Sequence, residues 1–235
     1  MSFKSGYVSS MRLLRRGLSK AGVLKAMEQS SRPYVRHLRT LLSIYDTEDL
    51  AHLDLPWWTY AAIDRVEELL RQKPARVFEY GSGASTLWLS QRAESVDSVE
   101  HDRDFSQLME RLAHDRTNVT FHFEPPVAAT NPTVKSGREG FEDMDFANYV
   151  GTIDRVGGTF DLIIIDGRAR VACVAPALAR LNTGGLILFD DMKRGRYQEV
   201  LSRPDLKVEM LAGAKPSIPY RDVTALIRPK ATPTT

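Results

Sequence analysis

The 235-residue chain is 43% hydrophobic and 26% charged, which excludes an intrinsically disordered protein. The formal net charge of +2 does not by itself predict nucleic-acid binding, and no apolar run approaches the ~20 residues that span a bilayer. The single cysteine, Cys173, excludes an internal disulfide and fits a reducing compartment, so we expect a cytoplasmic protein.

The first 55 residues are expected to form a basic helical extension or cap. Residues 1–40 contain nine basic side chains and one acid, Glu28. Apolar residues over 8–27 recur at three-and-four spacing, which predicts one amphipathic helix. We expect this helix to pack on the domain with a solvated basic face. Contact of residues 1–40 with nucleic acid or a membrane surface is the alternative.

The predicted elements that follow change from helices to an alternation of strands and helices. Helices are predicted over 33–45, 57–72, 84–93, 105–114, 146–156, 170–181 and 197–201. Strands are predicted over 77–80, 95–100, 119–123, 161–166, 186–189, 207–211 and 223–227, and a loop over 125–140.

This order predicts an α/β domain over residues 56–235 with a doubly wound, mostly parallel sheet. Strands and helices alternate at spacings that suit right-handed crossovers, and such sheets are covered by helices on both faces. The last two strands have no helix between them. They are therefore expected to form an antiparallel hairpin that closes the sheet edge.

The stretch RVFEYGSGAST, residues 76–86, predicts a nucleoside site after the first strand. Gly81 permits a tight turn, and Gly83 lets a ligand approach the backbone without a Cβ in the way. The helix that starts at Ala84 directs free N–H groups toward the same place. Glu100 ends the next strand about 20 residues later, where a carboxylate can accept hydrogen bonds from ribose hydroxyls.

Two features of this stretch favour S-adenosylmethionine over NAD. A dinucleotide site needs a third glycine where Thr86 stands. Glu79, two residues before the first glycine, suits the ammonium group of an amino-acid tail and would repel a pyrophosphate.

FEYGSGAST and SVEHD together resemble two motifs of the class I S-adenosylmethionine-dependent methyltransferases: acid-glycine-any-glycine, and the acid that ends the second strand. The resemblance covers about residues 56–230 and implies a seven-stranded, Rossmann-like sheet and methyl transfer. It implies that the first motif holds the methionine part, that Glu100 holds the ribose, and that His101 lies against the adenine. The expected cofactor-binding residues are Glu79, Gly81, Ser82, Gly83, Ser85, Glu100 and His101.

Acids also follow the strands over 161–166 and 186–189. Asp166, Asp190 and Asp191 are expected to converge at one rim, where three carboxylates would suit Mg²⁺. The arrangement is similar to that of the catechol-type, metal-dependent O-methyltransferases. It departs from them at Asp191, where that group has asparagine, and at Ala169, where it has a catalytic lysine.

Two other interpretations of these acids stay open. Asp166 or Asp191 is expected to act as a general base if no metal is used. Alternatively, Asp190 and Asp191 cap the following helix and neutralise its basic side chains, which are Lys193, Arg194 and Arg196.

We expect O-methylation of a small-molecule or sugar hydroxyl. The acidic rim and the absence of an Asn/Asp-Pro-Pro-aromatic tetrad after the fourth strand favour it. Arg168 and Arg170 are candidates to bind an acidic substrate. One alternative is an aminopropyltransferase-like enzyme. Another is a non-catalytic nucleoside-binding domain whose basic helix docks to RNA or a membrane.

Overall fold

Nine strands are present in the computed structural model of the protein, which describes residues 3–230. They are β1 (Arg76–Tyr80), β2 (Ser95–Glu100), β3 (Val119–Phe123), β4 (Val127–Ala128), β5 (Met144–Asp145), β6 (Phe160–Ile165), β7 (Leu181–Phe189), β8 (Leu206–Gly213) and β9 (Asp222–Pro229). The first two residues of the predicted extension and residues 231–235 of the predicted domain lie outside the described range.

Seven of these strands form one sheet in the order β3-β2-β1-β6-β7-β9-β8. The first five strands of this order pair in parallel, and β9 runs antiparallel to both of its neighbours. The predicted doubly wound, mostly parallel seven-stranded sheet with a C-terminal hairpin is therefore confirmed. Because β9 pairs with β7, the loop that precedes Asp222 reaches the carboxyl end of β7.

The central strands bury side chains on both faces, as a doubly wound sheet requires. In β1, Val77 belongs to one apolar cluster, and Phe78 and Tyr80 belong to the other. All six residues of β6 are buried. This two-sided burial explains why the sequence of β6 is a continuous apolar run after its single acid, Asp161.

The helices surround the sheet and form the N-terminal extension. They are α1 (Phe3–Lys20), α2 (Val23–Glu28), α3 (Pro33–Leu41), α4 (Thr47–His52), α5 (Tyr60–Gln72), α6 (Ala84–Ser90), α7 (Arg103–Leu112), α8 (Ala147–Val150), α9 (Thr152–Val156), α10 (Arg170–Ala179) and α11 (Gln198–Leu201). No helix among the described residues is long and apolar enough to cross a membrane.

Several predicted boundaries differ from the structure. The single helix predicted over 8–27 is wrong, because Gly22 adopts a left-handed backbone (φ 71°) and separates α1 from α2. The sequence interpretation missed α4, whose N-cap residue Asp46 accepts a hydrogen bond from Asp49 N (3.0 Å). The segment 125–140 is not loop throughout, since β4 lies in it and pairs with β5.

The extension is held together by Arg39, whose side chain is almost completely buried. Its guanidinium binds both carboxylate oxygens of Asp49 at 2.9 Å and Glu28 Oε1 at 2.7 Å, which joins α2, α3 and α4. Burial alone would raise the pKa of Asp49, but hydrogen bonds from Arg39 and Ser43 hold it well below its usual range. This ion-pair network holds three short helices together, and helices of such length are marginal in isolation.

The extension also contacts the loop between β8 and β9. Ser217 N donates to Thr40 Oγ1 (3.3 Å), and Ser217 Oγ donates to Ser43 O (3.2 Å). On the basic helix, Arg15 binds Asp46 (2.6 Å) and Asp49 (2.8 Å), so part of the positive face of α1 turns toward the protein. Division into an extension over 1–55 and a domain over 56–235 remains our proposal.

Replacing Arg39 by alanine is expected to lower the free energy of unfolding by about 3 kcal/mol, because Asp49 and Glu28 lose their buried counter-ion. Chemical denaturation of the full chain measures this. The control is Arg36→Ala, which removes an exposed arginine from the same helix. Equal losses in the two variants would contradict a structural role for the Arg39 network.

Candidate active site

A cleft of about 920 Å³ lies beyond the carboxyl ends of β1, β2, β6 and β7. Such clefts form where the strand order of an open α/β sheet reverses. Six of the seven expected cofactor-binding residues line it, namely Gly81, Ser82, Gly83, Ser85, Glu100 and His101. The extension contributes Tyr45, Thr47 and Leu50 to the same wall.

The two glycines of the turn have different roles. Gly81 has φ 97°, and a Cβ on it would lie 2.6 Å from Gly167 Cα, so the turns after β1 and β6 can touch only without side chains. Gly83 has an extended backbone that any residue adopts, and a Cβ there would meet nothing closer than Ser85 Oγ at 3.7 Å. Gly83 thus keeps space open on the cleft side. The sequence interpretation missed Gly167.

Glu79, the seventh expected residue, lies behind the turn and does not line the cleft. Its fully buried carboxylate accepts hydrogen bonds from Ser85 Oγ (2.5 Å), Thr86 Oγ1 (2.5 Å) and Ser98 Oγ (2.7 Å). Thr86 Oγ1 in turn accepts from Gly83 N (2.9 Å). The geometry gives Glu79 the role of fixing the turn, and does not support direct contact with an ammonium group. Thr86 occupies the position of the third glycine of a dinucleotide-binding motif, and its hydroxyl completes the hydrogen-bond network around Glu79.

Glu100 is oriented for a ligand by its own chain. Its Oε1 accepts from His101 N (2.7 Å) and Asp102 N (2.8 Å), while Oε2 has no protein partner among the residues described. The side chain is 5% exposed and faces the cleft. One fixed oxygen and one available oxygen suit a carboxylate that binds ribose hydroxyls.

His101 stands beside Glu100 in an aromatic surrounding. Its Nε2 accepts a hydrogen bond from Arg168 Nε (3.1 Å), and its Nδ1 lies 2.5 Å from Glu100 Oε1 without the geometry of a hydrogen bond. The ring lies 6.0 Å from that of Phe141 and 5.9 Å from that of Phe146, centre to centre. Phe141 also lines the cleft and was not anticipated from sequence.

The three acids predicted to converge do so. Asp166, Asp190 and Asp191 each place a carboxylate oxygen within 4.8 Å of the others. The carboxylates are not alone, however. Lys215 Nζ contacts Asp190 Oδ2, lies 3.3 Å from Asp191 Oδ1, and lies 3.4 Å from Asp222 Oδ2.

A second buried cation, Arg170, reaches the same acids. Its Nη2 lies 2.8 Å from Asp166 Oδ1 and 3.2 Å from Asp191 Oδ2, and its Nη1 donates to Asp190 O (2.6 Å). Arg170 is therefore committed to the protein and not to an acidic substrate. Arg168 has no carboxylate partner among the described residues; it packs over Phe141 and faces the cleft.

The alternative in which Asp190 and Asp191 cap the following helix is not supported, because no side-chain hydrogen bond caps the described helical turns over 195–201, and neutralisation is seen for one of the three basic residues. Arg194 Nη2 lies 2.6 Å from Asp191 Oδ2. Lys193 contacts the carbonyl of Arg221, and Arg196 donates to Gly137 O (2.6 Å). The acids are neutralised chiefly by Lys215 and Arg170.

Lys215 and Asp222 were missed because no local motif marks them. The predicted sheet topology could have found them. The last strand of the hairpin, β9, runs antiparallel to its neighbour β7, so the residues just before β9 lie at the carboxyl end of β7.

The carboxylates differ in their readiness to accept a proton. Burial, reinforced by repulsion from Asp190, raises the pKa of Asp166. Burial alone would also raise the pKa of Asp191, but Arg170, Lys215 and Arg194 lower it below its ordinary value. Of the two acids expected to be catalytic, Asp166 is the stronger base once it is ionised.

Glu79 makes stability depend on pH. Burial raises its pKa from 4.5 to about 7, although three hydroxyl donors oppose the rise. The resulting stabilisation is complete below pH 4.5 and is lost as the pH rises through 7. Relative to Glu79→Gln, the wild type should lose up to about 3 kcal/mol of unfolding free energy between pH 4.5 and 8.

Urea denaturation of both proteins at several pH values measures this difference. Glu94→Gln, which changes an exposed acid near the same helix, is the control and should show no such trend. A difference between wild type and Glu79→Gln that stays constant with pH would contradict the assignment.

Comparison with known proteins agrees with this geometry. A family model described as a methyltransferase domain matches residues 78–192, which run from β1 to just past Asp191. A search of curated proteins found no significant match.

Two of the solved structures that match share the fold at low sequence identity, and a third matches more weakly. An O-methyltransferase from Bacillus cereus in complex with SAH is 17% identical, with 81% of this chain and 90% of that chain covered and a TM-score of 0.56. A candidate caffeoyl-CoA O-methyltransferase from Staphylococcus aureus is 14% identical, with 92% and 98% covered and a TM-score of 0.52. A ribosomal protein L11 methylase from Lactobacillus delbrueckii subsp. bulgaricus is 16% identical, with 80% of each chain covered and a TM-score of 0.48.

The chain contains a methyltransferase domain over residues 78–192. The seven-stranded sheet and the cleft beyond its strand ends are consistent with a class I, Rossmann-like S-adenosylmethionine-dependent methyltransferase.

Proposed function

We propose that the protein transfers the methyl group of S-adenosylmethionine to a hydroxyl group of a small molecule, and that Asp166 accepts the hydroxyl proton. The observation that carries this proposal is the position of Asp166. It follows β6 directly, lines the cleft, and belongs to the turn that packs against Gly81. A proton acceptor thus lies beside the glycine turn at which the cofactor is expected.

The cofactor would be held by the turn and by the end of β2. Glu100 Oε2 is available for the ribose hydroxyls, and the open space at Gly83 admits the cofactor close to the backbone. His101 and Phe141 offer aromatic faces for the adenine. Ser82 and Ser85 line the same wall, while Glu79 supports the turn from behind.

The reaction asks little covalent chemistry of the protein. The acceptor oxygen attacks the methyl carbon, the carbon–sulfur bond breaks, and S-adenosylhomocysteine leaves as a neutral thioether. Asp166 takes the proton that the hydroxyl gives up. The remaining task is to align oxygen, methyl and sulfur and to exclude water, to which Tyr45 and Trp57 at the cleft wall would contribute.

A hydroxyl acceptor is favoured over the alternatives. Two of the solved structures that match with TM-scores above 0.5, from Bacillus cereus and Staphylococcus aureus, are described as O-methyltransferases. Aminopropyl transfer would need free acids to bind a polyamine, whereas the acids here are paired with Lys215 and Arg170.

The acidic rim does not fit a Mg²⁺ ion. Mg²⁺ requires oxygen ligands at 2.0–2.1 Å in near-octahedral geometry. The oxygens that would supply them already contact the side chains of Lys215 and Arg170. No step of the proposed reaction therefore uses a metal.

The proposal is tested by incubating the purified protein with S-adenosylmethionine and a panel of hydroxylated small molecules. Mass spectrometry should detect S-adenosylhomocysteine together with an acceptor heavier by one methyl group. Methylthioadenosine as the product would instead indicate aminopropyl transfer. Absence of S-adenosylhomocysteine binding in calorimetry would favour a non-catalytic role.

Gly83→Ala should retain the fold but bind S-adenosylhomocysteine at least about tenfold more weakly, because the added methyl occupies space that only a ligand uses. Calorimetry measures the affinity and thermal denaturation checks the fold. Gly213→Ala, in β8 and with open space at its Cβ, is the matched control. Equal affinity in both variants would contradict placement of the cofactor at this turn.

Asp166→Asn should lower kcat by about 100-fold or more, the loss typical of a missing general base. Its affinity for S-adenosylhomocysteine should not change, because that product carries no sulfonium charge for Asp166 to attract. Asp154→Asn, which changes an exposed acid of α9, serves as the control. A variant with wild-type kcat would remove Asp166 from the mechanism.

A further inference from the structure

The ammonium group of Lys215 lies within the cluster of carboxylates at the ends of β6 and β7. The side chain comes from the loop between β8 and β9 and is 7% exposed. Its three N–H donors match three carboxylates, those of Asp190, Asp191 and Asp222.

The position of this ammonium conflicts with a metal ion. Asp190 and Asp191, which contact Lys215 through carboxylate oxygens, belong to the cluster of three acids whose spacing suits a cation. Burying an ammonium ion without counter-ions costs several kcal/mol, so Lys215 and its carboxylates stabilise one another. A divalent cation could enter only if the ammonium left.

The charges around Lys215 are nearly balanced without a metal. Four carboxylates face three cations, of which Lys215 and Arg170 are buried and Arg194 stands at the rim. The four acids are Asp166, Asp190, Asp191 and Asp222. With Lys215 removed, the same oxygens would carry a large excess of negative charge in a site closed to most solvent.

We propose that the Lys215 ammonium takes the place of a divalent cation in this methyltransferase and acts as a positioning residue that makes the reaction independent of metal. Lys215 fixes Asp190 and Asp191, and Arg170 links Asp191 to Asp166, so the lysine orients the proton acceptor through the carboxylates between them. The positioning role rests on the proposed function, whereas the occupation of the cation position does not.

Two variants of Lys215 separate the effect of its positive charge from the effect of its side-chain volume. Lys215→Ala removes the ammonium and leaves room for a hydrated ion, whereas Lys215→Met removes the charge and fills the space. The control is Lys193→Ala, which changes an exposed lysine after the same strand, β7. Each full-length protein is treated with chelator and titrated with Mn²⁺, followed by electron paramagnetic resonance and calorimetry.

Wild type, Lys193→Ala and Lys215→Met should bind no Mn²⁺ at this site, and Lys215→Ala should bind one ion. Mn²⁺ should also raise the melting temperature of Lys215→Ala alone, a readout that works even if the variant folds only with the ion bound. Mn²⁺ binding by the wild type that Asp191→Asn abolishes would overturn the proposal. So would a Lys215→Ala protein that neither binds Mn²⁺ nor is stabilised by it.

Turnover tests the positioning role separately. The wild type should keep full activity in EDTA, and both Lys215 variants should lose at least about tenfold in kcat through disorder of the carboxylates. Mg²⁺ or Mn²⁺ should restore Lys215→Ala and not Lys215→Met. Unchanged kcat in both variants would overturn the positioning role. Binding of S-adenosylhomocysteine by the wild type, measured in parallel, shows whether the proposed function itself has failed.

Discussion

Charge balance at the carboxyl ends of β6 and β7 is the constraint on which the rest of the site depends. Three acids leave these strands side by side, and Asp190 is almost completely buried. Buried carboxylates are stable only with counter-ions and hydrogen bonds. Lys215 and Arg170 supply the charge, and Thr224 Oγ1 donates to Asp190 Oδ1 (2.6 Å).

The same ion pairs connect parts of the chain that are far apart in sequence. Lys215 holds the loop between β8 and β9 against the end of β7, and Ser217 in that loop binds α3 and the residues after it. The loop that Lys215 holds at the acidic rim thus also binds the N-terminal extension, which contributes residues to the cleft wall. The ion pairs of the site therefore help to stabilise the packing of the extension.

Sequence reasoning predicted the features that local chemistry determines. The sheet, the Gly81 turn, the position of Glu100 and the convergence of the acids follow from periodicity and from where strands end. It missed Gly167 and Lys215, because their roles depend on side chains or backbone brought near by the fold. It also missed the break at Gly22, since a glycine within a regular apolar pattern does not by itself reveal a left-handed backbone.

Comparison of Glu79 with Asp191 shows how the fold assigns different tasks to similar residues. Glu79 is buried among hydroxyl groups with no cation in contact among the described residues, so burial raises its pKa and it favours the neutral, hydrogen-bonded form. Asp191 contacts three cations, so its pKa falls and it stays charged. Burial raises the pKa of Asp166 as well, but its carboxylate has one cation partner and a face open to the cleft. Of the three acids, Asp166 is thus the one that combines a raised pKa with access to a substrate in the cleft.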